Sequence, residues 1–262
     1  MIKILGRKQR TENNQWLEAM DRIEELVPKA ELAELVKKTK ADIRKTTKGK
    51  KAAYCWSGGK DSIVLSDICR ATGIKDCMFA HTNLEYPAFL SWCMDHLPEQ
   101  CEVINTGQDL EWLAKHPEMI FPTKSNFVDA WNVVVHRRAF TQYFFGHKLD
   151  MILMGHRKAD GNFVGPGNFI RKKSGETRYS PLADWPHEMI LAYIHYHKLA
   201  LPPIYTWKDG FLQGTHAWPS REHMETPGQG YREVYEIDPS IVTQAAEQIP
   251  SARHFLEEVA GA

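Results

Sequence analysis

Tyr54-Cys55-Trp56-Ser57-Gly58-Gly59-Lys60-Asp61-Ser62 is the stretch that decides the fold. An apolar run, Ala52 to Trp56, meets two glycines, and an apolar-periodic segment begins at Ile63. That pattern is strand, tight loop, helix. Glycine has no Cβ, so the loop can turn sharply and let an anion come close to the backbone. The helix behind it aims free N–H groups and the positive end of its dipole at the same spot. Ser57 and Ser62 add hydroxyls and Lys60 adds a charge. The physical product is a phosphate cradle. It is not a Walker A loop, because the glycine required five residues before Gly59 is Tyr54.

Outward from this loop the chain alternates strands and helices. The first strand is Ala52 to Trp56, and its helix runs from about Asp61 to Thr72 and stops at Gly73. Strands at Cys77–Thr82, Glu102–Asn105 and Met151–Gly155 follow, separated by helices at about Pro87–Leu97, Asp109–Lys115 and Phe127–His147. This order predicts an α/β fold, a doubly wound parallel sheet of Rossmann-like type. Ligands of such sheets bind beyond the carboxyl ends of the strands. The loop after strand one, His81 to Tyr86 and His156 to Gly167 are therefore expected to meet. Arg157 to Arg178 is glycine-rich and basic and reads as a long loop or small hairpin over the site.

Before the sheet, helices are expected at Asn13–Val27 and Lys29–Lys38. After it come a helix at Pro186–Lys198, an irregular stretch from Tyr205 to Tyr231, and a helical pair at about Ser240–Gln248 and Ser251–Ala260. The expected organisation is a helical lead-in over 1–48, a nucleotide-binding domain over 49–205 and an extension over 206–262 packed on it.

Composition narrows the function. The chain has 262 residues, zero formal net charge and 43% apolar residues, so no global field argues for nucleic acid or membrane. Lys37, Lys38, Lys40, Arg44, Lys45, Lys48, Lys50 and Lys51 do cluster, which reads either as a solvated face or as a nucleic-acid contact. The five cysteines, Cys55, Cys69, Cys77, Cys93 and Cys101, include no Cys-x-x-Cys pair. That argues against a disulfide framework or a zinc site and fits a reducing, cytoplasmic setting. No apolar run approaches the roughly 20 residues of a membrane span. Among twelve histidines, His195 and His197 diverge on one helix, and His216, Glu222 and His223 share a loop, which makes a weak case for a transition metal.

Four segments, in order, resemble the PP-loop ATP pyrophosphatases, and within them the sulfonucleotide branch. That branch includes phosphoadenosine phosphosulfate reductase, the small subunit of ATP sulfurylase and proteins found with DNA phosphorothioation systems. The segments are Ser57 to Ser62, His81-Thr82-Asn83-Leu84-Glu85-Tyr86-Pro87, Met154-Gly155-His156-Arg157-Lys158-Ala159-Asp160, and Ser180-Pro181-Leu182-Ala183-Asp184-Trp185 followed by Leu201-Pro202. The resemblance implies an adenine nucleotide, ATP, across the strand ends. Its phosphates would lie on Ser57, Gly58, Gly59, Asp61 and Ser62, its base near Ala80, His81 and Thr82, with Gly155 and His156 alongside. Asp61 would help hold Mg²⁺, and Lys60, Asp61 and Arg157 would carry the chemistry, with Arg157 meeting the α-phosphate.

The chain also departs from the family pattern. The family's Asp is His81, its Gly is Asn83, and the Glu after its Pro is Ala88. No cysteine occurs after Cys101, so the C-terminal thiolate that a reductase needs is missing from this sequence. The leading expectation is cleavage of ATP between the α and β phosphates, which adenylylates an acceptor and releases pyrophosphate. Two alternatives stand beside it: a nucleotide-binding subunit or sensor working with a separate partner, and a reductase that uses a partner's thiol. The acceptor, the protein partner and any homo-oligomer remain open.

Overall fold

A computed structural model of the chain describes residues 5–6, 8, 11–123, 125–220 and 226–261. Glu222 and His223 lie outside the described residues. The chain divides into two compact units. The first takes the described residues of Met1–Phe79, with His96–Val103 and Thr141–Gly214, and the second takes Ala80–Asp95, Ile104–Phe140 and the described residues of Thr215–Ala262.

Helices α1 (Asn13–Asp21), α2 (Ile23–Leu26) and α3 (Lys29–Thr47) lead into strand β1 (Ala52–Cys55). Then come α4 (Lys60–Ala71), β2 (Cys77–His81), α5 (Pro87–Asp95), β3 (Cys101–Asn105) and α6 (Leu110–Lys115). Helices α7 (Ser125–Trp131) and α8 (Arg138–Gly146) are joined by a π-helical stretch, Asn132–Arg137, and β4 (Met151–Leu153) follows. Strands β5 (Phe169–Arg171) and β6 (Thr177–Tyr179) precede α9 (His187–His197), α10 (Gly210–Gln213), α11 (Pro227–Ile237), α12 (Pro239–Ala246) and α13 (Pro250–Ala260).

The six strands form one sheet in the order β3-β2-β1-β4-β6-β5. β1 runs parallel to β2 and β4, and β4 runs parallel to β6, while β5 closes the edge antiparallel to β6. The expected doubly wound α/β architecture is therefore present. Ala53 and Tyr54 of β1 and all three residues of β4 are buried, as strands covered on both faces require. On α4, Val64, Leu65, Ile68 and Cys69 recur at helical spacing and are fully buried.

Several boundaries differ from the sequence reading. The first expected helix breaks at Arg22, whose φ of −105° and ψ of 17° interrupt it. The second runs on to Thr47, because the buried series Leu32, Val36, Thr39 and Ile43 keeps helical spacing throughout. Most of the lysine-rich run thus lies on this helix, and Lys48, Lys50 and Lys51 follow it. The basic loop after β4 contributes two strands, as the hairpin alternative anticipated. The irregular stretch ends inside a helix: α11 starts at Pro227, with Thr226 Oγ1 accepting from the Gln229 N–H.

In the second unit, Phe121 adopts a positive φ of 47°. Its ring lies edge-on to Tyr231 at 5.0 Å between centroids and 5.8 Å from Trp218. Gly230 of α11 faces that ring so closely that a Cβ there would lie 2.5 Å from it. Trp131 Nε1 donates to the Met119 carbonyl, which ties α7 to the turn before it.

Candidate functional site

The glycine loop is the best-defined feature of the first unit. Gly58 has a φ of 67°, in the left-handed region that favours glycine. Gly59 is extended and forms the N-cap of α4. Ser62 ties the loop to the helix: its hydroxyl donates to the Gly59 carbonyl at 2.9 Å and accepts from the Ser57 N–H at 3.0 Å. The Ser57 hydroxyl lies 3.2 Å from the same oxygen. The Lys60 N–H, in the first turn, donates to the phenol oxygen of Tyr205 at 2.8 Å. Burial, and then the Asp61 charge, push the Tyr205 hydroxyl well above its usual range, so it stays protonated.

Gly155, just past β4, abuts this turn. A Cβ there would sit 3.3 Å from the Asp61 carbonyl carbon and the Ser62 nitrogen. The strand can end against the helix only because the residue is small. Ser57, Gly58, Gly59, Lys60, Asp61, Ser62 and Gly155 are thus brought together.

Arg157 is also here, but it is wholly buried, at 0% exposure. Its Nε donates to Asp61 Oδ1 at 2.7 Å, and its Nη1 donates to the Trp185 carbonyl at 3.0 Å. Its Nη2 serves Asp160 Oδ1 and His187 Nδ1, each at 3.0 Å. Lys60 Nζ sits 2.6 Å from Asp61 Oδ2 and 3.7 Å from Asp160. Burial raises the Asp61 carboxyl, but the Arg157 guanidinium and then the Lys60 ammonium outweigh it and hold the group well below the usual carboxylate range. Arg157 was expected to reach outward toward an α-phosphate. Here it lies inside the protein with its donors engaged, bracing the loop through Asp61.

Three residues of this cluster have no assigned role in the sequence reading. Asp160 was quoted only as part of a segment, and His187 and Trp16 were not associated with the site at all. The Trp16 ring stacks on Phe211 at 4.9 Å and meets His187 edge-on at 4.5 Å, and Lys60 Nζ lies 5.5 Å from its centroid. Phe211 in turn packs on Tyr205 at 4.8 Å. An aromatic stack from α1, α10 and the segment before it therefore stands beside Lys60, with Trp16 facing its ammonium. Burial, and then Arg157, lower the His187 imidazole to about 3. It is neutral, as an acceptor from Arg157 must be.

His156 is half-buried, and burial and then Arg178 pull its pKa down. Ala80, His81 and Thr82 belong to the second unit. There the Glu85 carboxylate accepts from the Thr82 N–H at 2.9 and 3.0 Å and from the Thr82 hydroxyl at 2.8 Å. His81 Nδ1 lies 2.6 Å from the Thr82 carbonyl.

Mg²⁺ prefers carboxylate and phosphate oxygens in an octahedral shell. The only carboxylate assigned to it, Asp61, has one oxygen on Arg157 and the other on Lys60. Both oxygens already face cations, so the donor set does not fit Mg²⁺ in this arrangement. Of the other candidates, His195 pairs with Glu24 at 2.8 Å, and the His197 ring stacks on Tyr193 at 3.9 Å. Glu176 pairs with Arg178, and Asp184 with Lys158. Trp185 Nε1 donates to the Thr39 hydroxyl, a packing role.

All five cysteines are free thiols. Burial pushes the Cys55 and Cys93 thiols up to about 12 and raises Cys69 further. No helix among the described residues is long and apolar enough to cross a membrane.

The model of the phosphoadenosine phosphosulfate reductase domain family matches residues 51–213, more than half of the chain and the whole of this site in β1, α4, the loop after β4 and α9. The chain belongs to this family. No curated protein matches it. Among solved structures, phosphoadenylyl-sulfate (PAPS) reductase from Candida auris, a phosphate complex, shares 16% identity over 74% of this chain and 98% of that one, with a TM-score of 0.53. At that identity the likeness speaks for the fold, which is the one expected of a phosphoadenosine phosphosulfate reductase domain. NH3-dependent NAD synthetase from Campylobacter jejuni (13% identity, 86% of this chain and 95% of that one, TM-score 0.45) and NMN synthetase from Francisella tularensis (14%, 87% and 95%, TM-score 0.46) are also similar.

Proposed function

We propose that the chain is an ATP-cleaving enzyme of the phosphoadenosine phosphosulfate reductase domain family, acting between the α and β phosphates. An acceptor nucleophile attacks the α-phosphorus. The bond from that phosphorus to the bridging oxygen breaks, and pyrophosphate leaves with the electron pair. The observation that carries this reading is the loop itself, a left-handed Gly58 and an N-capping Gly59 at the start of a three-turn helix, cross-tied by Ser62. Such a loop and helix N-terminus suit a polyphosphate.

The residues have distinct tasks in this reading. Loop amides and hydroxyls hold the leaving pyrophosphate. Lys60 and Arg157 supply fixed positive charge from behind the loop, where low dielectric strengthens it. Gly155 keeps the strand end against the helix. No step is routed through Mg²⁺. Incubation with ATP and candidate acceptors should yield pyrophosphate and AMP-containing products, read by chromatography and phosphorus NMR. Formation of ADP and orthophosphate would overturn the reading.

A second reading has its own observation. Lys60, Asp61 and Arg157 are ion-paired with one another in the interior. The same loop would then serve a nucleotide-binding subunit or sensor whose partner does the chemistry. Nucleotide binding by calorimetry without turnover, acceptors included, favours it, and turnover by the isolated chain removes it.

A partner for the basic run is also part of the proposal. Lys37, Lys38, Arg44, Lys45, Lys48, Lys50 and Lys51 are all exposed along and just after α3. That suits a nucleic-acid backbone. Binding to a duplex that weakens steeply with added salt is expected, and binding that is absent or indifferent to salt would refute it.

A further inference from the structure

Two of the five cysteines stand side by side on neighbouring strands. Cys77 opens β2, Cys101 opens β3, and the two strands are adjacent in the sheet. The Cys77 N–H donates to the Gln100 carbonyl at 3.2 Å. Toward the other end of the same strands, the Thr106 N–H donates to the His81 carbonyl at 2.8 Å. Both bonds give one parallel register, in which Cys77 lies directly opposite Cys101. Residues so paired turn their side chains to the same face, and neighbouring strands lie about 4.8 Å apart. A disulfide needs Cα atoms roughly 4.4–6.8 Å apart, so this pair is within reach of one.

The two thiols complement each other. Cys77 is fully buried and Cys101 is half-buried. The Cys77 thiol donates to the Gln100 carbonyl at 3.9 Å, so its sulfur turns toward β3 beside Cys101. The Cys101 thiol in turn hydrogen-bonds to the Cys77 sulfur and lowers its pKa against the effect of burial. Burial instead raises Cys55, Cys69 and Cys93. A thiol that solvent reaches therefore has a more acidic thiol at its side. The pair lies at the amino ends of its strands, whereas ligands of such sheets bind at the carboxyl ends, so it stands apart from the glycine loop.

We propose that Cys77 and Cys101 form a reversible disulfide, a redox modification site at the edge of the sheet. With hydrogen peroxide as the oxidant, the Cys101 sulfur attacks one peroxide oxygen. The O–O bond breaks, water leaves, and Cys101 becomes a sulfenic acid. The Cys77 thiolate then attacks that sulfur and the S–O bond breaks. The leaving hydroxide takes up the proton that Cys77 released. Two thiols are thus oxidised to one disulfide, and the peroxide is reduced to two waters. A thiol reductant reverses the change by exchange at the half-buried Cys101 sulfur. The bond pins β3, an edge strand, to β2.

Peroxide treatment of the full native chain, followed by blocking of the remaining thiols, digestion at glutamate and non-reducing mass spectrometry, tests it. Cleavage after Glu85 and Glu99 puts Cys77, Cys93 and Cys101 on separate peptides. The expected product is the Cys77 peptide joined to the Cys101 peptide within one chain, and dithiothreitol should part them. Thiol titration in denaturant should show two of the five thiols lost. Cys77→Ser should leave Cys101 as a sulfenic acid that dimedone traps, and Cys101→Ser should leave Cys77 a thiol. Persistence of both thiols in the wild type overturns the proposal. So does oxidation of Cys101 with Cys77 still reduced, or a link from either one to Cys93 or to a second chain. An equal yield of the link in the urea-unfolded chain also overturns it, because the bond would then owe nothing to the register.

Discussion

Arg157 Nε donates to Asp61 Oδ1 at 2.7 Å across 96 residues of sequence, and the guanidinium is shut off from solvent. This bond joins the segment after β4 to the first turn of α4. Breaking a buried pair by removing one partner leaves the other charge uncompensated, at about 3–5 kcal/mol. Arg157→Ala should therefore lower unfolding free energy by about that amount in urea titration. Arg157→Lys should recover little, because a point charge cannot serve Asp61, Trp185 and Asp160 together. Full stability in Arg157→Ala would contradict the bracing role.

His187 gives the site a pH dependence with a definite sign. Its folded-state pKa, about 3, lies below the ordinary histidine value of about 6.5. The unfolded chain thus binds more protons between those values, and stability rises with pH across that window. The contribution is fully present above about pH 6.5 and fades as pH falls toward 3. Asp61, also depressed, adds a loss that begins only near the ordinary carboxylate range of about pH 4. His187→Asn can still accept from Arg157 but does not titrate. Urea midpoints between pH 7 and 4 should fall steeply for wild type and more gently for the variant. Parallel profiles would show that His187 is not the titrating group.

The loop was legible in the sequence because everything it needs is local: glycines, a hydroxyl and a helix start within a few residues. The aromatic stack was not, since Trp16 and His187 meet only through the packing of α1 on α9. Arg157 was read from its residue type as an outward donor. Its burial depends on Asp160, His187 and the Trp185 carbonyl converging on it, which no spacing rule encodes. Helix α11 was hidden by Gly228 and Gly230, which lower helical propensity. Gly230 stands in a helix because the Phe121 ring fills the space a side chain would need.

Two glycines set the shape of the cradle from behind. A Cβ at Gly210 would lie 1.8 Å from the Ile204 carbonyl oxygen, so the turn carrying Tyr205 must move in Gly210→Ala. That would draw the Tyr205 hydroxyl off the Lys60 N–H. A stability loss of about 1–3 kcal/mol is expected from overpacking, together with weaker pyrophosphate binding. Gly155→Ala meets the α4 backbone at a milder 3.3 Å, so its loss should be smaller and Gly155→Val should exceed it. Thermal melts of the three variants check this order, and a Gly155→Ala more damaging than Gly210→Ala would contradict the geometry.

The thiols separate the proposed chemistry from a reductase acting on its own. Cys69 and Cys93 are fully buried, and burial lifts their pKa values along with that of half-buried Cys55. Thiol reactivity follows the thiolate fraction and access. Iodoacetamide at neutral pH should therefore leave all three unmodified in the native chain and alkylate them after denaturation, with half-buried Cys101 the first to react, as read by peptide mass spectrometry. The chain replaced at Cys55, Cys69 and Cys93 by alanine or serine should then keep its pyrophosphate release from ATP once folding losses are corrected. Rapid native alkylation of Cys55 with loss of that release would instead point to a nucleophilic thiol at the end of β1 and contradict the proposed chemistry.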